Sequence, residues 1–581
     1  MSALIFPLLL LTSLHTHRIE ARTGPPLLRR PHTTHAGPFQ DERSKQIFSE
    51  CSQMWRSSRV DHFSWANQDT YQQRYFICDK HYNQSKPGVI FFYLGNEADV
   101  TLYVNNTGLM HELAPRHNAL IIFAEHRYYG LSKPFSHEIE HQNMGYLTTE
   151  QAMADYASLI WEVKQNLDDQ HMPVIGFGGS YGGMLATWFR LKYPHLMDGA
   201  IAASAPIWSF YGEEPPYDLG GFNEAVTWDA SKEGGSAPAC IDNARKAWQT
   251  MFEWGKSKEG RRKIAESMRL CPRKKQNEQT SSSSPIDYLT KDFLLSIDKE
   301  SAGKSAEEEI LKSKEDVEAL AGWGEEAWAY LAMGDYPYPS GYILNGEAVL
   351  PAYPVRVACD YLADANLEGK ALLGAMAEAV GIFYNATGAI DCFEFGSTSS
   401  AGNATEQDAT FWDFQYCSEQ FMPQTSDGVR DMFWNSGKFN FKEESQRCET
   451  TWGVRPSKYK ATIEWGGRRL EAASNIVFSN GGRDPWRSGG VLKSLSDTLV
   501  AVNIPEGAHH LDLMFSNKDD PESVIEARKV EEEHIVRWIE EARERRTRGA
   551  TAVKKSGGKE EQEVLPRVDI NGTSGVSLSV A

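Results

Sequence analysis

The sequence of 581 residues predicts an α/β domain that is interrupted by a mostly helical insertion. Three observations carry this prediction: short apolar runs bounded by turn residues, helically spaced apolar residues between those runs, and a loss of the strand signal in the middle of the chain. Alternating strand and helix signals are typical of βαβ units, whose strands form a buried parallel sheet. The chain is also longer than the roughly 250–300 residues at which a single core stops growing, so two structural units are expected.

The predicted strands form two groups, one on each side of the insertion. They are residues 89–94, 119–124, 173–177 and 199–204 before it, and 475–479 and 499–504 after it. Residues 149–166 have the apolar spacing of a helix, a final amphipathic helix is predicted around 521–543, and helical stretches such as 304–331 dominate the insertion. We therefore expect an α/β domain in two parts with a helical cap between them, with the boundaries 46–210, 211–435 and 436–545.

The composition excludes two broad classes of protein. Lys and Arg number 60 against 79 Asp and Glu, which gives a net charge of −19. Non-specific nucleic-acid binding needs a basic surface, so this balance argues against it. Hydrophobic residues make up 41% of the chain, which is enough for a sizeable core and excludes wholesale disorder.

The two ends of the chain lack the composition of a folded domain. Residues 3–14 form an apolar run that is shorter than the roughly 17–25 residues needed to span a bilayer and is typical of a signal peptide. We expect a signal peptide at 1–22, a linker or pro-segment at 23–45 and a disordered tail at 546–581. No later segment reaches spanning length. A protein of the secretory pathway without a membrane span is predicted, with lysosome, vacuole and secretion left open.

The cysteines and glycosylation motifs fit a secretory location. An even number of cysteines without a CxxC pair favours four disulfides over a zinc or thioredoxin-like site. The eight are Cys51, Cys78, Cys240, Cys271, Cys359, Cys392, Cys417 and Cys448. Sequons of the Asn-x-Ser/Thr type mark expected surface loops, and they occur at Asn83, Asn105, Asn385, Asn403 and Asn571.

The strongest local signal is Gly178-x-Ser180-x-Gly182, which lies between a predicted strand and a predicted helix. This is the context of a nucleophile elbow, a sharp turn that holds a reactive serine in a strained backbone conformation. Glycines flank the serine because a Cβ there would clash with the neighbouring strand and helix. The helix that follows also directs N–H groups at the site, which favours negative charge developing on an oxygen. Ser180 is therefore the predicted nucleophile.

A serine hydroxyl is a weak nucleophile without a base, and after such an elbow an acid and a histidine follow in chain order. Asp484 and His509 each come directly after one of the two strands that follow the insertion, at the strand ends where α/β active sites form. His510 is the rival base and Asp512 the rival acid. Adjacent residues point in different directions, so only one histidine can face Ser180, and Asp512 is expected to cap the following helix.

The loop after the first predicted strand supplies a second part of such a site. The backbone N–H of Tyr181 and that of Gly95 or Asn96 are the predicted pair of donors for an oxyanion. Glu97 and Asp99 add carboxylates to the same loop. These carboxylates could bind the amino terminus of a substrate or hydrogen-bond the loop backbone, and both alternatives stay open here.

Further motifs resemble one family. The elbow extends as Gly-Gly-Ser-Tyr-Gly-Gly-Met-Leu-Ala at 178–186, and the other motifs are Glu125-His-Arg-Tyr-Tyr-Gly130, Asp335-Tyr-Pro-Tyr338, Trp452-Gly-Val-Arg-Pro456 and Gly507-Ala-His-His-Leu-Asp512. Over about residues 60–543 the chain resembles the serine carboxypeptidase family that contains prolylcarboxypeptidase and dipeptidyl peptidase II. The resemblance implies an α/β-hydrolase fold with a disulfide-linked helical cap, and cleavage next to proline in short peptides.

The same resemblance implies several residue roles. Its triad maps onto Ser180, Asp484 and His509, which settles His509 over His510. It implies three disulfides in the cap, which are Cys240–Cys359, Cys271–Cys392 and Cys417–Cys448. Cys51 and Cys78 are then the remaining two cysteines. An apolar pocket for proline is implied at Met184, Met422 and Trp486, whose polarizable surfaces suit a proline ring. The family's arginine after His-His-Leu-Asp-Leu is Met514 here, so the family's pH behaviour is not carried over.

The sequence thus predicts a serine-type exopeptidase, most similar to a Pro-Xaa carboxypeptidase, that acts on proline-containing peptides and needs no cofactor or metal. Release of N-terminal dipeptides is the open alternative, since it would use the same triad. An esterase or lipase with the same elbow and a non-catalytic binding module are more distant alternatives. A homodimer is left open.

Overall fold

The computed structural model describes residues 48–135, 141–272, 309–394 and 404–556. The predicted signal peptide, the predicted linker, most of the predicted tail and the sequons at Asn403 and Asn571 lie outside these ranges. Within them, no helix is both long enough and apolar enough to cross a membrane.

One mixed sheet lies at the centre of the described chain. Its strands are Ser52–Arg59 (β1), Thr70–Cys78 (β2), Val89–Leu94 (β3), Ala119–Ala124 (β4), Val174–Gly179 (β5), Gly199–Ala203 (β6), Ile476–Gly481 (β7) and Leu499–Ile504 (β8). They are ordered β1-β2-β4-β3-β5-β6-β7-β8. β2 runs antiparallel to both of its neighbours, β1 and β4, and all other neighbouring pairs are parallel. With helices packed on this sheet, the architecture is the α/β-hydrolase fold.

All six predicted strands are confirmed, with ends that differ by at most two residues from the predicted ones. β1 and β2 escaped prediction because the fold buries polar side chains along them. Arg56, Gln73 and Arg74 are all buried. Arg56 Nη1 donates to Gln73 Oε1 (2.9 Å), and Arg74 forms an ion pair with the buried Glu125. Paired polar groups of this kind can occupy a core, but in a sequence they remove the apolar pattern that marks a strand.

The helices of the described chain are numbered in order. They are Thr101–Asn106 (α1), Gly108–His117 (α2), Thr149–Asn166 (α3), Tyr181–Lys192 (α4), Gly221–Asp229 (α5), Cys240–Gly255 (α6), Lys258–Ser267 (α7), Lys314–Met333 (α8), Pro354–Tyr361 (α9), Gly369–Tyr384 (α10), Ala404–Ser418 (α11), Phe441–Trp452 (α12), Lys460–Trp465 (α13) and Glu522–Ser556 (α14). In the described residues between β6 and β7, the regular elements are α5 to α13, and none of that region joins the sheet. The exact domain boundaries stay a prediction.

Two helices differ from their predicted bounds. α8 begins at Lys314 because Ser313 caps it: Ser313 Oγ accepts the N–H of Asp316, whose side chain accepts the N–H of Ser313 in return. Of the predicted helix 304–331, residues 304–308 lie outside the described ranges. α14 continues to Ser556, past residue 545 where the disordered tail was expected to start. That expectation is wrong for residues 546–556, whose Arg, Ala and Lys residues are strong helix formers.

The core has two sides, one on each face of the sheet. Along β3, Phe91 packs into the cluster on one face and Phe92 into the cluster on the other. The first of these clusters continues without a break into the insertion, where it includes Trp248 of α6 and Trp328 of α8. The sheet and the insertion therefore share buried apolar contacts.

The structure joins six cysteines in the three cap pairs that the family resemblance implies, and it joins the remaining two, Cys51 and Cys78, to each other. The disulfides are Cys51–Cys78, Cys240–Cys359, Cys271–Cys392 and Cys417–Cys448. The first connects the start of β1 to the end of β2. The others lie outside the sheet, and the second ties α6 to α9.

The described sequons differ in their surroundings. Asn83 is exposed in a loop, as expected. Asn385 is half-buried at the end of α10, where its side chain exchanges hydrogen bonds with the backbone of Ile390. Asn105 is buried in α1, so the expectation of a surface loop is wrong there. A sequon is a three-residue pattern that carries no information on burial, and α1 turns Asn105 into the core beside Val104.

Candidate active site

Ser180 occupies the turn between β5 and α4, with φ 59° and ψ −129°. Its N–H donates to the Ala203 carbonyl at the end of β6 (3.0 Å), which holds the turn against the sheet. A Cβ on Gly178 would collide with the Gly182 carbonyl, and one on Gly182 would lie 2.9 Å from the Leu94 carbonyl. The two glycines permit this close approach, so the surrounding structure can hold the serine in a strained conformation.

Asp484 and His509 lie just past the carboxyl ends of β7 and β8. His509 Nδ1 is 3.0 Å from Asp484 Oδ2, and both side chains are buried. Asp484 Oδ1 accepts the N–H of Trp486 (3.1 Å). When Nδ1 donates to the carboxylate, His509 Nε2 is left with a lone pair that can accept a proton.

The two adjacent histidines have different surroundings. His509 and Ser180 line the same small cavity. The His510 ring packs against Gly179 instead, and its Nε2 lies 3.2 Å from the Tyr342 hydroxyl. Burial, together with the neighbouring His509, lowers the pKa of His510 well below its ordinary value. His509, and not His510, therefore faces the cavity that Ser180 lines, and the lowered pKa keeps His510 neutral where it is packed.

The rival acid Asp512 has partners of its own. Its Oδ2 accepts a hydrogen bond from Ser479 Oγ (2.6 Å). Burial first, and then the charge of Asp512, raise the pKa of the facing Glu531 well above its ordinary value. Asp512 therefore secures its loop to β7 and α14, rather than capping a following helix as expected.

The predicted oxyanion donors belong to the start of α4 and to the loop after β3, and these two parts of the chain are in contact. Tyr181 is the first residue of α4, so its N–H has no acceptor within the helix. The Gly95 carbonyl accepts the hydroxyl of Tyr156 (2.5 Å), and the Asn96 side chain donates to Glu97 (2.8 Å) and lies against the start of α4. These contacts fix the loop after β3 next to the elbow.

The cavity at the serine is mainly apolar. Its lining residues are Glu97, Ser180, Tyr181, Met184, Pro206, Met333, Trp412, Met422, Trp486 and His509. The three predicted pocket residues, Met184, Met422 and Trp486, are all among them. Met333 and Trp412 come from the insertion and were not predicted. Met333 stands two residues before the Asp335-Tyr-Pro-Tyr338 motif, which was its only signal, and Trp412 has no motif near it.

The two carboxylates of the loop after β3 have different roles in the structure. Glu97 lines the cavity. Asp99 accepts the N–H and the hydroxyl of Thr101 (2.9 and 2.7 Å) and forms an ion pair with Arg74 (2.7 Å). Asp99 therefore stabilises the start of α1, and the expectation that it binds substrate is not supported.

Comparison with known proteins identifies the family. The model of the serine carboxypeptidase S28 family matches residues 58–293 and 301–531, which is most of the chain. This chain is a member of the serine carboxypeptidase S28 family. It is therefore a serine-type peptidase, which agrees with the resemblance read from the motifs and sets aside the esterase and binding-module alternatives.

The relatives of this S28 peptidase are similar over nearly their full length. It is 37% identical to the lysosomal Pro-X carboxypeptidase of Mus musculus over 529 residues, which cover 89% of this chain and 95% of the relative. It is 38% identical to the lysosomal Pro-X carboxypeptidase of Homo sapiens, over 84% of this chain and 88% of the relative. Identity falls to 25% with the thymus-specific serine protease of Mus musculus, over 84% and 88% of the two chains.

Behind its cavity, this S28 peptidase buries a carboxyl group of the insertion. Both oxygens of Glu419 accept the N–H of Thr149 at the start of α3 (3.0 Å each), and Oε1 also accepts from Thr149 Oγ1 and Gln415 Nε2 (2.9 Å each). The Thr149 hydroxyl and the Gln415 amide both reach the hydroxyl of Tyr181 (3.0 and 3.2 Å). This network joins the insertion to the starts of α3 and α4, and no sequence motif marked it.

The raised pKa of Glu419 predicts that its contribution to the stability of the protein decreases as the pH rises. Burial first, and the charge of Glu150 second, raise the pKa of Glu419 from its ordinary value of 4.5 to about 7. Its contribution to the free energy of unfolding is therefore complete below pH 4.5 and is lost as the pH rises to about 7. We expect Glu419→Gln, which stays neutral, to reduce the difference in unfolding free energy between about pH 5 and 7.5 by on the order of 1–3 kcal/mol.

Urea unfolding at the two pH values measures this difference. Glu443→Gln is the matched control, because Glu443 is exposed at the start of α12. The control should keep the wild-type pH dependence. If Glu419→Gln also keeps it, the predicted role of Glu419 is wrong.

Proposed function

We propose that Ser180, His509 and Asp484 form the catalytic triad of this S28 peptidase, and that the enzyme removes the residue that follows a proline at the carboxyl end of a peptide. One observation carries the proposal: the elbow serine and a histidine bound to a buried aspartate line a single cavity. The names of its Pro-X carboxypeptidase relatives support the choice of proline.

The proposed reaction is acyl transfer through the serine. Ser180 Oγ attacks the carbonyl carbon of the proline while His509 Nε2 takes the hydroxyl proton, and Asp484 stabilises the charged imidazole. His509 then gives this proton to the leaving amine, the C–N bond breaks, and water attacks the acyl-enzyme in the same way. The N–H of Tyr181, with that of Gly95 or Asn96, would stabilise the oxyanion, each donor contributing about 3 kcal/mol.

The proposed proline site is the apolar part of the cavity. Met184, Met422 and Trp486 contribute polarizable surface there, and the Trp486 indole N–H donates to Met333 Sδ (3.1 Å). Since that polar atom has a partner, the indole can present its apolar face to a proline ring.

Release of N-terminal dipeptides is the second candidate, and Glu97 favours it. Among the residues that line the cavity there is a carboxylate, Glu97, and neither a lysine nor an arginine. A carboxylate is suited to bind the ammonium group of a free amino terminus, whereas the free carboxylate of a carboxypeptidase substrate would gain more from a cation.

A matched pair of peptides separates the two activities. One has a blocked amino terminus and ends in Pro-Phe with a free carboxylate, and the other begins with a free Ala-Pro and ends in an amide. We expect cleavage of the first peptide before Phe, with kcat/KM at least about tenfold higher than for the second, because the two modes place opposite ends of the peptide in the cavity. Liquid chromatography of the products measures both rates.

The opposite preference would contradict the carboxypeptidase assignment. In that case Glu97→Gln should raise KM for the free-amine peptide about tenfold or more, since an ammonium–carboxylate contact is lost. Asp99→Asn is the control for this variant, because Asp99 lies in the same loop but is bound to Thr101 and Arg74.

We also propose a location in the secretory pathway, in the lysosome or a similar compartment. The relatives named lysosomal, the disulfides and the predicted signal peptide support it.

We also propose that the chain divides into an α/β domain at 46–210 and 436–545 and a cap at 211–435. A sugar is proposed to be attached at Asn83.

A further inference from the structure

The end of α8 and the residues directly after it reach both loops of the proposed triad. This segment comprises residues 333–336, and it contacts the loops that follow β7 and β8. It makes polar contacts with His509 and with Arg483, the residue before Asp484. Met333, Asp335 and Tyr336 make these contacts.

The backbone around the base is held from several directions. The N–H of His509 donates to the Met333 carbonyl (3.2 Å), and the Tyr336 hydroxyl donates to the His509 carbonyl (3.1 Å). The N–H on the other side of the same peptide unit, that of His510, donates to Ser204 Oγ at the end of β6 (2.8 Å). His510 has φ 39°, a conformation that persists only where the surroundings impose it. Tyr336 and Ser204 thus bind opposite sides of the peptide unit that joins His509 to the strained residue His510.

The loop of the acid is held by the same segment. Arg483, next to Asp484, donates from Nη1 to Asp335 Oδ2 (2.8 Å) and from Nη2 to the carbonyl of Gly234 (3.1 Å). Asp335 and Arg483 are both buried, so this ion pair is little screened by water. Two consecutive residues of the insertion, Asp335 and Tyr336, therefore bind the loops that carry the acid and the base.

We infer that Tyr336 is a positioning residue, which sets the orientation of the His509 imidazole by fixing the peptide unit between residues 509 and 510. The insertion then has a role in assembling the triad in addition to lining the substrate cavity. The inference rests on the proposed function, since it assumes that His509 is the base. Tyr336 is buried and is not among the residues that line the cavity, so its effect must pass through His509.

The test is Tyr336→Phe, which removes the hydroxyl and keeps the ring. We expect kcat for the cleaved peptide of the matched pair to fall by about ten- to a hundredfold, with KM within about twofold, because a small displacement of the base affects the chemical step more than substrate contacts. The rate at which a fluorophosphonate labels the enzyme should fall by a similar factor, and this readout is independent of peptide preference.

Tyr384→Phe is the matched control. The Tyr384 hydroxyl donates to the Trp323 carbonyl (2.9 Å), so this variant also removes a hydrogen bond from a tyrosine to the backbone of the insertion, but away from both loops. It should lower the melting temperature to a similar extent and leave kcat and the labelling rate unchanged. An unchanged kcat in Tyr336→Phe, a change confined to KM, or an equal loss of kcat in Tyr384→Phe would each overturn the inference.

A double-variant cycle tests the shared peptide unit. Ser204→Ala releases the other side of that unit, so its kcat should also fall, and the double variant Tyr336→Phe, Ser204→Ala should lose less than the product of the two single losses. Losses that multiply would overturn the inference. Ser180→Ala distinguishes this failure from failure of the proposed function: if Ser180→Ala still hydrolyses peptides and accepts the label, the triad itself is wrong.

Discussion

Replacing Ser180 with alanine should abolish peptide hydrolysis and leave the fold intact. The change removes the hydroxyl and preserves the two backbone hydrogen bonds of the turn, from the Ser180 N–H to Ala203 and from the Met184 N–H to the Ser180 carbonyl (3.0 Å each). We expect kcat to fall by on the order of 10⁴- to 10⁶-fold, because the remaining groups have no nucleophile to act on. Hydrolysis of the blocked Pro-Phe peptide measures the loss, and thermal unfolding should show a melting temperature within a few degrees of wild type.

A control for this variant is Ser158→Ala. Ser158 lies on α3, where its hydroxyl donates to the Ala154 carbonyl (2.9 Å), and the change should leave kcat unaffected. A fluorophosphonate should label wild type and Ser158→Ala but not Ser180→Ala. Labelling or hydrolysis that survives in folded Ser180→Ala would show that another residue is the nucleophile.

Asp484→Asn should reduce kcat by on the order of 10⁴-fold with little change in stability. The two carboxylate oxygens of Asp484 each accept an N–H, one from His509 Nδ1 and one from the Trp486 backbone. An asparagine can offer only one oxygen, so its amide N–H₂ must face one of these donors. If it faces His509, the imidazole is driven to the tautomer whose Nε2 carries the proton and cannot accept another.

Asp512→Asn is the matched control, since Asp512 is the rival acid on the loop of the histidines. Its oxygen accepts from the Ser479 hydroxyl, an interaction that an asparagine oxygen can keep. We expect its loss in kcat to be smaller than that of Asp484→Asn by about two orders of magnitude or more, because it does not set the tautomer of the base. Steady-state kinetics of both variants at one pH make the comparison, and an equal loss in the two would remove the reason for choosing Asp484.

The part of the fold that the sequence predicted is the part with a simple pattern. A strand buried on both faces is a continuous apolar run, and β3 and β4, which are buried at every position, were predicted at their observed bounds. β1 and β2 have no such run, because Arg56 and Gln73 bind each other inside the structure. The continuation of α14 beyond residue 545 was also missed, since a composition typical of disorder and a composition typical of an exposed helix overlap.

In the site, the residues marked by a local sequence pattern were predicted, and those that reach it through tertiary packing were not. Ser180 is marked by its glycines, and Asp484 and His509 by their positions after strands, so local sequence and chain order were enough to propose them. Trp412 and Glu419 reach the site only through the folding of the insertion, and no motif lies near them. Tyr336 lies within the Asp335-Tyr-Pro-Tyr338 motif, which indicated the family but not the loop that this tyrosine contacts.

The division of the sheet between two distant stretches of chain has a consequence for biosynthesis. β6 and β7 are neighbours in the sheet, yet residues 204–475 lie between them. At roughly 5–20 residues per second, a ribosome needs on the order of tens of seconds to make that interval. During this time the nascent first half presents β6 as an open, apolar edge, a structure prone to wrong pairing. A premature stop anywhere before residue 476 would leave that edge uncovered, so even late truncations should produce a chain that is retained and degraded rather than a smaller, weaker enzyme.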